Sequence, residues 1–175
     1  MKENTNSEKS NDAETKLQKV LAERLSNMAN EMLVDGKSEQ ARDVAMAATL
    51  LDPANAKWHV GLAIVESFMG DVQSARSSFE IALSIDPEHT NALHLLGNIY
   101  RMDGELDKAT ELLERDLAVH ERKGHEYDPQ VVGDLCETYI QARKNDQARS
   151  LIQRYIKVHP KDEDLLHIRD RLNLQ

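Results

Sequence analysis

A small residue recurs along this chain at a nearly constant interval, and that interval limits the folds available to the chain. Ala41, Ala75 and Ala109 are 34 residues apart, and Ala148 follows 39 residues later. The same register extends to other positions. Five residues before the alanines come Gly36, Gly70, Gly104 and Arg143, and thirteen before come Met28, Leu62, Leu96 and Leu135. Twelve residues after them come Pro53, Pro87, Glu121 and Pro160. Self-similarity at this period indicates stacked repeats, because one such unit cannot bury its apolar face alone.

Each period contains two segments with helical spacing of apolar residues. In residues 91–102, Leu93, Leu96 and Tyr100 fall on one side of a helix. Gly104 follows, and glycine tolerates the positive φ that often ends a helix. A second amphipathic segment comes next, and the proline near the end of most units stops it. The sequence therefore predicts pairs of antiparallel helices.

These residues resemble the tetratricopeptide repeat, whose pattern is W-x2-L-G-x2-Y…A-x3-F…P. The third unit matches it best, with Leu93-x2-Leu96-Gly97-x2-Tyr100 followed by Ala109-x3-Leu113. The resemblance implies an all-α solenoid of helix-turn-helix units, wound as a right-handed superhelix, with about four repeats and a C-terminal capping helix.

The resemblance, together with local composition, also predicts the organisation of the chain. We expect a disordered tail over 1–14, repeats over 15–55 (with a long first helix), 56–89 and 90–123, an insertion at 124–128, a divergent fourth repeat over 129–162 and a capping helix over 163–175. The chain departs from the family pattern at several positions. Glu66 replaces the aromatic residue of the second repeat, and Asp116 replaces the late alanine of the third.

Composition argues against several classes of function. The chain carries 22 Lys and Arg against 31 Asp and Glu, a net charge of −9, whereas binding to nucleic acid or anionic membranes needs a basic surface. Apolar runs are too short to insert into a membrane, and the first sixteen residues lack the apolar segment of a secretory signal. We therefore expect a cytoplasmic protein with neither a nucleic-acid partner nor a membrane span.

No pattern in the sequence indicates catalysis. The seven histidines form no HExxH spacing, and no glycine-rich phosphate loop is present. The single cysteine, Cys136, falls at a small-residue packing position of the fourth repeat, where a buried thiol is inert. We expect a protein that is not an enzyme and holds neither a cofactor nor a metal.

The resemblance implies that the first helix of each repeat lines a concave groove that binds a partner. The residues carried over to that groove are Asn27, Asn30, Ile64, Phe68, His94, Leu95, Asn98, Arg101 and Glu137. Asn30 and Asn98 share one position, where an amide can bond to a peptide backbone. Ile64, Phe68 and Leu95 would serve as apolar anchors. His94 and Arg101 could hold a carboxylate, and Glu137, with Asp134 nearby, could meet a basic side chain.

The expected function is a protein-binding scaffold or chaperone-like adaptor that takes a peptide or an amphipathic helix. The alternative is a self-assembling protein that forms homo-oligomers through the faces of its repeats. The two-carboxylate clamp of heat-shock co-chaperones is nearly excluded, because only Asn30 agrees among Ser26, Asn30, Gly61, Asn91 and Leu95 at its five positions. The chaperones of bacterial type III secretion are similar in size and acidity, but no motif of theirs is present.

Overall fold

The computed structural model describes residues 4–124 and 129–172, with side chains from Asp12 onward. Every regular element within those ranges is an α-helix, which confirms the predicted all-α helical repeat fold. The chain divides into two units, Met1–Pro87 and Glu88–Gln175.

Unit 1 contains two helical hairpins. Its helices are α1 (Asn4–Val34), α2 (Ser38–Leu51), α3 (Ala56–Phe68) and α4 (Val72–Ile85). Helix α1 packs mainly on α2, α3 packs mainly on α4, and the two hairpins meet through contacts of α3 with α2 and α1.

Unit 2 contains two further hairpins and a terminal helix. Its helices are α5 (Thr90–Met102), α6 (Leu106–Lys123), α7 (Pro129–Gln141), α8 (Asn145–Ile156) and α9 (Glu163–Arg171). Asp162 caps α9, because its side chain accepts a hydrogen bond from the Leu165 amide at 3.1 Å. Leu165 and Ile168 are buried in the apolar core formed with α7 and α8.

The small residues of the 34-residue pattern are buried inside the hairpins. The four alanines at the repeat position, Ala41, Ala75, Ala109 and Ala148, are fully buried. At Gly97 a Cβ atom would lie only 3.0 Å from Leu113 Cγ, so the α5–α6 contact has no room for a larger residue. Small residues therefore allow α5 and α6 to approach closely, and the repeat position is fully buried in all four hairpins.

The turn between the helices of each hairpin uses a left-handed residue. Gly36, Gly70 and Gly104 have φ angles of 76°, 78° and 79°. The fourth repeat places Arg143 at the same position, with φ 58°. Arginine pays a steric cost in this region that glycine avoids.

The structure differs from the sequence prediction at the amino end. The prediction of a disordered tail over 1–14 is corrected for residues 4–14, which form the first turns of α1. The low apolar content motivated that prediction. However, residues 4–34 contain neither glycine nor proline, and Lys16 pairs with Asp12 at 2.9 Å in an i,i+4 ion pair that supports the helix. Of the predicted insertion at 124–128, only Gly124 lies within the described residues, and it ends α6 with φ 62°.

Glu66, the departure of the second repeat, is a buried carboxylate between α3 and α4. Only 6% of the residue is exposed, and the Ser78 hydroxyl donates a hydrogen bond to its Oε2 at 2.7 Å. Burial raises the pKa of Glu66 above 4.5, and the hydrogen bond from Ser78 only partly opposes this. The folded state therefore disfavours the charged form of this residue.

We expect Arg143→Gly to raise the free energy of unfolding by about 0.5 to 1 kcal/mol. Relief of about 1 to 2 kcal/mol of left-handed strain outweighs the extra chain entropy of glycine, about 0.5 to 1 kcal/mol. Urea unfolding measures the change. Gly104→Ala is the matched control, because a Cβ there meets no atom within 4 Å and the substitution adds only the strain. A lower urea midpoint for Arg143→Gly would contradict this account.

We expect Glu66→Gln to stabilise the protein at neutral pH and to lose that advantage in acid. The amide oxygen of glutamine can still accept the Ser78 hydrogen bond, but glutamine carries no charge to desolvate. Because the folded pKa of Glu66 is raised, its charge costs stability above that pKa, and the cost vanishes as the carboxyl becomes protonated. Urea midpoints from pH 4 to 8 measure the difference, with the exposed Glu23→Gln as control. A difference that does not change with pH is the contrary result.

Candidate functional site

The predicted partner-binding residues of unit 1 are on α1 and α3. Asn27 and Asn30 are exposed on α1, and neither side chain makes a hydrogen bond to the part of the chain that the structure describes. Ile64 is half-buried on α3, and the Phe68 ring at the end of α3 is 74% exposed. These four residues therefore present two unoccupied amides and one exposed aromatic ring.

Contacts between α1 and α3 define the register of this surface. A Cβ atom on Gly61 would lie 3.5 Å from Ser26 Oγ, so these two residues are neighbours across the helices. One turn further along each helix come Asn30 and Ile64, and another turn brings Val34 and Phe68. We call Asn27, Asn30, Val34, Ile64 and Phe68 the α1/α3 face.

Exposed apolar residues end the first helix of three repeats. Val34, Phe68 and Met102 are 34 residues apart and are 89%, 74% and 82% exposed. The repeat period marks Val34 and Met102 as the equivalents of Phe68 in the first and third repeats. Each of these large apolar side chains is in contact with water and offers apolar area that another molecule can cover.

The predicted polar residues of unit 2 are arranged differently, because they converge on one carboxylate. His94 Nε2 lies 2.8 Å from Asp134 Oδ2, and the Asn98 side-chain amide donates to the same oxygen at 2.7 Å. Arg101 donates through Nε and Nη2 to Asn98 Oδ1, both at 3.1 Å, and its Nη2 is 3.4 Å from Asp134 Oδ1. We call these four residues the Asp134 cluster.

Helices α5 and α7 position this cluster. His94, Asn98 and Arg101 follow one another at intervals of four and three residues and so line one side of α5. Asp134 faces them from α7. The side chains are mostly buried, with 13% of His94 and 19% of Asp134 exposed. The donors predicted for a partner's carboxylate thus hold a carboxylate of the same chain.

Hydrogen bonding controls the charge of Asp134. Burial raises the pKa of this carboxyl, but hydrogen bonds from His94 and Asn98 and the charge of Arg101 outweigh burial and hold the pKa below 3.8. Asp134 is therefore ionised at neutral pH and joins α5 to α7 as a charged acceptor.

The two remaining predicted residues of unit 2 also have neighbours within it. Glu137 on α7 forms an ion pair with Arg171 at the end of α9. Leu95 is half-buried on α5. The sequence pattern did not identify Asp134 as the partner of His94 and Arg101, or Arg171 as the partner of Glu137. The members of these pairs are 33 to 40 positions apart along the chain.

The described residues give little support for other chemistry. They contain no group of three or more His, Cys, Asp or Glu side chains placed to hold a metal ion. In the same residues, no helix is long and apolar enough to cross a membrane. Cys136 is buried, and burial raises the pKa of its thiol to about 12, so little thiolate forms at neutral pH.

We expect Asp134→Ala to lower the free energy of unfolding by about 2 kcal/mol at pH 7, because three donors lose a charged acceptor. Urea unfolding measures the loss. The control is Asp107→Ala, which removes an exposed carboxylate of unit 2 that lies 3.1 Å from Lys144 Nζ and should change stability little.

The same comparison has a pH dependence with a defined sign. The folded pKa of Asp134 is lowered, so its contribution to stability is present above pH 3.8 and is lost as the pH falls through the folded pKa. Wild type and Asp134→Ala should therefore converge in acid. Equal stability of the two proteins at pH 7 would rule out a role of Asp134 in joining α5 to α7.

Comparison with known proteins agrees with this architecture. Residues 69–122 match a family model described as tetratricopeptide repeat. Cellulose synthase operon protein C of Xanthomonas axonopodis pv. citri (strain 306) is 26% identical over 172 residues, covering 75% of this chain and 11% of that protein. The chain thus spans about a tenth of the length of this curated relative.

Two solved structures are similar in fold. PilF of Pseudomonas aeruginosa superposes with a TM-score of 0.75 at 18% identity, covering 89% of this chain and 68% of that chain. The first tetratricopeptide domain of Spaghetti (RPAP3), bound to the HSP90 peptide SRMEEVD, gives a TM-score of 0.65 at 18% identity, covering 71% of this chain and 95% of that chain.

The repeat pattern, the helical hairpins joined by left-handed turns and the family match all lead to one conclusion. The chain has the fold of tetratricopeptide repeat proteins, and residues 69–122 match the model of that repeat family.

Proposed function

We propose that this protein is a protein-binding adaptor and that unit 1 provides its binding surface. On this proposal, the α1/α3 face takes an extended peptide or an amphipathic helix of a partner. The observation that carries the proposal is the difference between the units. Asn27 and Asn30 of unit 1 are exposed and make no hydrogen bond within the described chain, whereas Asn98 of unit 2 is bonded to Asp134 and Arg101.

The residue types of the α1/α3 face favour a peptide. An asparagine amide can both donate to and accept from a peptide backbone, which fixes the direction of the bound segment. Phe68 and Val34 offer exposed apolar surface, and aromatic side chains commonly contribute most of the binding free energy at interfaces. An exposed aromatic ring beside unoccupied amides suits a segment with one apolar anchor and accessible backbone groups.

The similar Spaghetti (RPAP3) domain was solved with a bound peptide, which supports peptide binding as a use of this fold. The present chain lacks most of the residues of the two-carboxylate clamp. Gly61 and Leu95, for example, stand where the clamp has basic or amide side chains. We infer that its ligand is anchored by an apolar side chain and not by a terminal carboxylate.

The Asp134 cluster has a different role in this proposal. His94, Asn98 and Arg101 position α5 against α7, and a ligand would have to displace Asp134 to reach them. We therefore place the principal contacts of the partner on unit 1. A chaperone role would follow if the bound segment is one that its own protein normally buries.

The proposal is tested with peptides selected by the wild-type protein from a displayed random library. Binding of a selected peptide is then measured by fluorescence anisotropy. We expect Phe68→Ala to weaken binding about tenfold or more and Asn30→Ala to weaken it by a smaller factor. Circular dichroism should stay unchanged, because both side chains are exposed.

Met102→Ala is the matched control. Met102 occupies the position of Phe68 in the third repeat, is similarly exposed and belongs to unit 2. Its replacement should leave peptide affinity unchanged. Equal losses for Phe68→Ala and Met102→Ala, or a library from which wild type enriches no peptide, would refute a binding surface on unit 1.

A further inference from the structure

Helix α1 has a second exposed apolar surface, separate from the α1/α3 face. Its residues are spaced by three, four and seven positions and so share one side of the helix: Leu17, Val20, Leu21 and Met28. Their exposed fractions are 59%, 49%, 40% and 44%. We call these four residues the outer stripe. Ala22, Leu25 and Ala29, on another side of α1, pack into the core of unit 1.

Comparison between repeats shows that this side of a first helix is normally covered. Met28 corresponds by the repeat period to Leu62 and Leu135, which are 7% and 1% exposed. Leu62 packs with Ala29 and Ala41 of the preceding hairpin, and Leu135 packs with residues of α6. The outer stripe thus has the composition of a covered surface, although its four residues are 40% to 59% exposed.

The C-terminal end of unit 2 does not offer a matching surface. Helix α9 lies there against α7 and α8 and buries Leu165, Ile168 and Leu172. A second copy therefore has no uncovered repeat at that end to stack on the outer stripe. A second copy also carries the outer stripe, and pairing of the same surface on both copies is a two-fold contact.

We propose that two copies of the chain form a dimer through antiparallel pairing of their α1 helices along the outer stripe. In the register that we assign, Leu17 of one copy faces Leu21 of the other, and the reverse pair repeats this contact. In an antiparallel pair with this register, the numbers of any two facing residues add up to 38. Residue 4 of one copy therefore faces residue 34 of the other, and the two helices overlap along their whole length. At a rise of 1.5 Å per residue, 31 residues give an overlap of about 46 Å.

Charge complementarity supports the antiparallel direction. In this register Glu14 faces Arg24 of the second copy, and the two-fold symmetry produces this pair twice. Both side chains are exposed and belong to the helix side that carries the stripe. A parallel pairing would place Glu14 beside Glu14 and Arg24 beside Arg24, and such like-charge contacts disfavour association.

The dimer leaves the peptide-binding surface accessible. On α1, Asn27 and Asn30 are turned from the middle of the outer stripe by roughly a quarter of a turn or more. Pairing of the outer stripes therefore does not require these amides. The dimer interface and the proposed function rest on different residues and can fail separately.

Sedimentation velocity over a concentration series tests the dimer. We expect wild type to approach twice 19.8 kDa with rising concentration, and we expect Leu21→Glu to raise the dimer dissociation constant about tenfold or more. Leu50→Glu is the matched control, because Leu50 is 76% exposed in the same unit but lies on α2. Wild type that stays at 19.8 kDa throughout, or equal dissociation by both variants, overturns the proposal.

A charge reversal tests the register. Glu14→Arg alone and Arg24→Glu alone should each weaken the dimer about tenfold, since each places two like-charged pairs in the interface. The double variant Glu14→Arg, Arg24→Glu should restore the wild-type dissociation constant. These residues are ten positions apart on one helix, about 15 Å along its axis, so restoration reports contact between copies. Failure of the double variant to restore association overturns the antiparallel pairing.

Discussion

The close contact between the two helices of a hairpin is the constraint on which the rest of this structure depends. The alanines of the 34-residue pattern are fully buried at these contacts, and at Gly97 even one added carbon would lie 3.0 Å from Leu113. Helices held this close leave little space for larger side chains between them. Glu66 is accommodated because Ser78 donates to it, and Asp116 lies 3.4 Å from the Nε2 atom of His120. The tight hairpin in turn fixes which side of each first helix faces outward.

Polar residues at outward-facing positions are bonded within unit 2 but exposed in unit 1. In unit 2 the donors of α5 and an acceptor of α7 satisfy each other, and the pKa of Asp134 is lowered by those bonds. In unit 1 the corresponding amides of α1 make no bond within the described residues, and the end of α3 exposes an aromatic ring. A single repeat pattern thus produces one face that stabilises its unit and another that stays open.

The parts of the fold that repeat could be predicted from the sequence. Four copies of the small-residue position and of the turn position supply the same local evidence several times, so the helical repeats and the left-handed turn, even at Arg143, follow from the pattern. The sequence prediction differs from the structure at the start of α1. Low apolar content there indicates disorder, but residues 4–14 contain nothing that interrupts a helix.

The candidate site was less predictable. Family geometry identifies positions such as His94 and Asn98 but does not reveal what they contact. A polar residue on one first helix can bond to a partner or to the next first helix of its own chain. The choice depends on the spacing of α5 and α7 in three dimensions, and no local pattern records a distance between residues 94 and 134.

The unequal use of polar residues has a consequence for how such a protein can change its specificity. Asn27, Asn30 and Phe68 contribute little to folding, since their side chains are exposed and the amides bond to no described residue. If the α1/α3 face binds the partner, as we propose, substitutions there alter recognition at nearly constant stability, without the usual trade-off between a new activity and a stable fold. Asn98 has no such freedom, because any replacement must also satisfy Asp134 and Arg101. On the proposed function, new partners would therefore be acquired through unit 1 while unit 2 keeps its sequence.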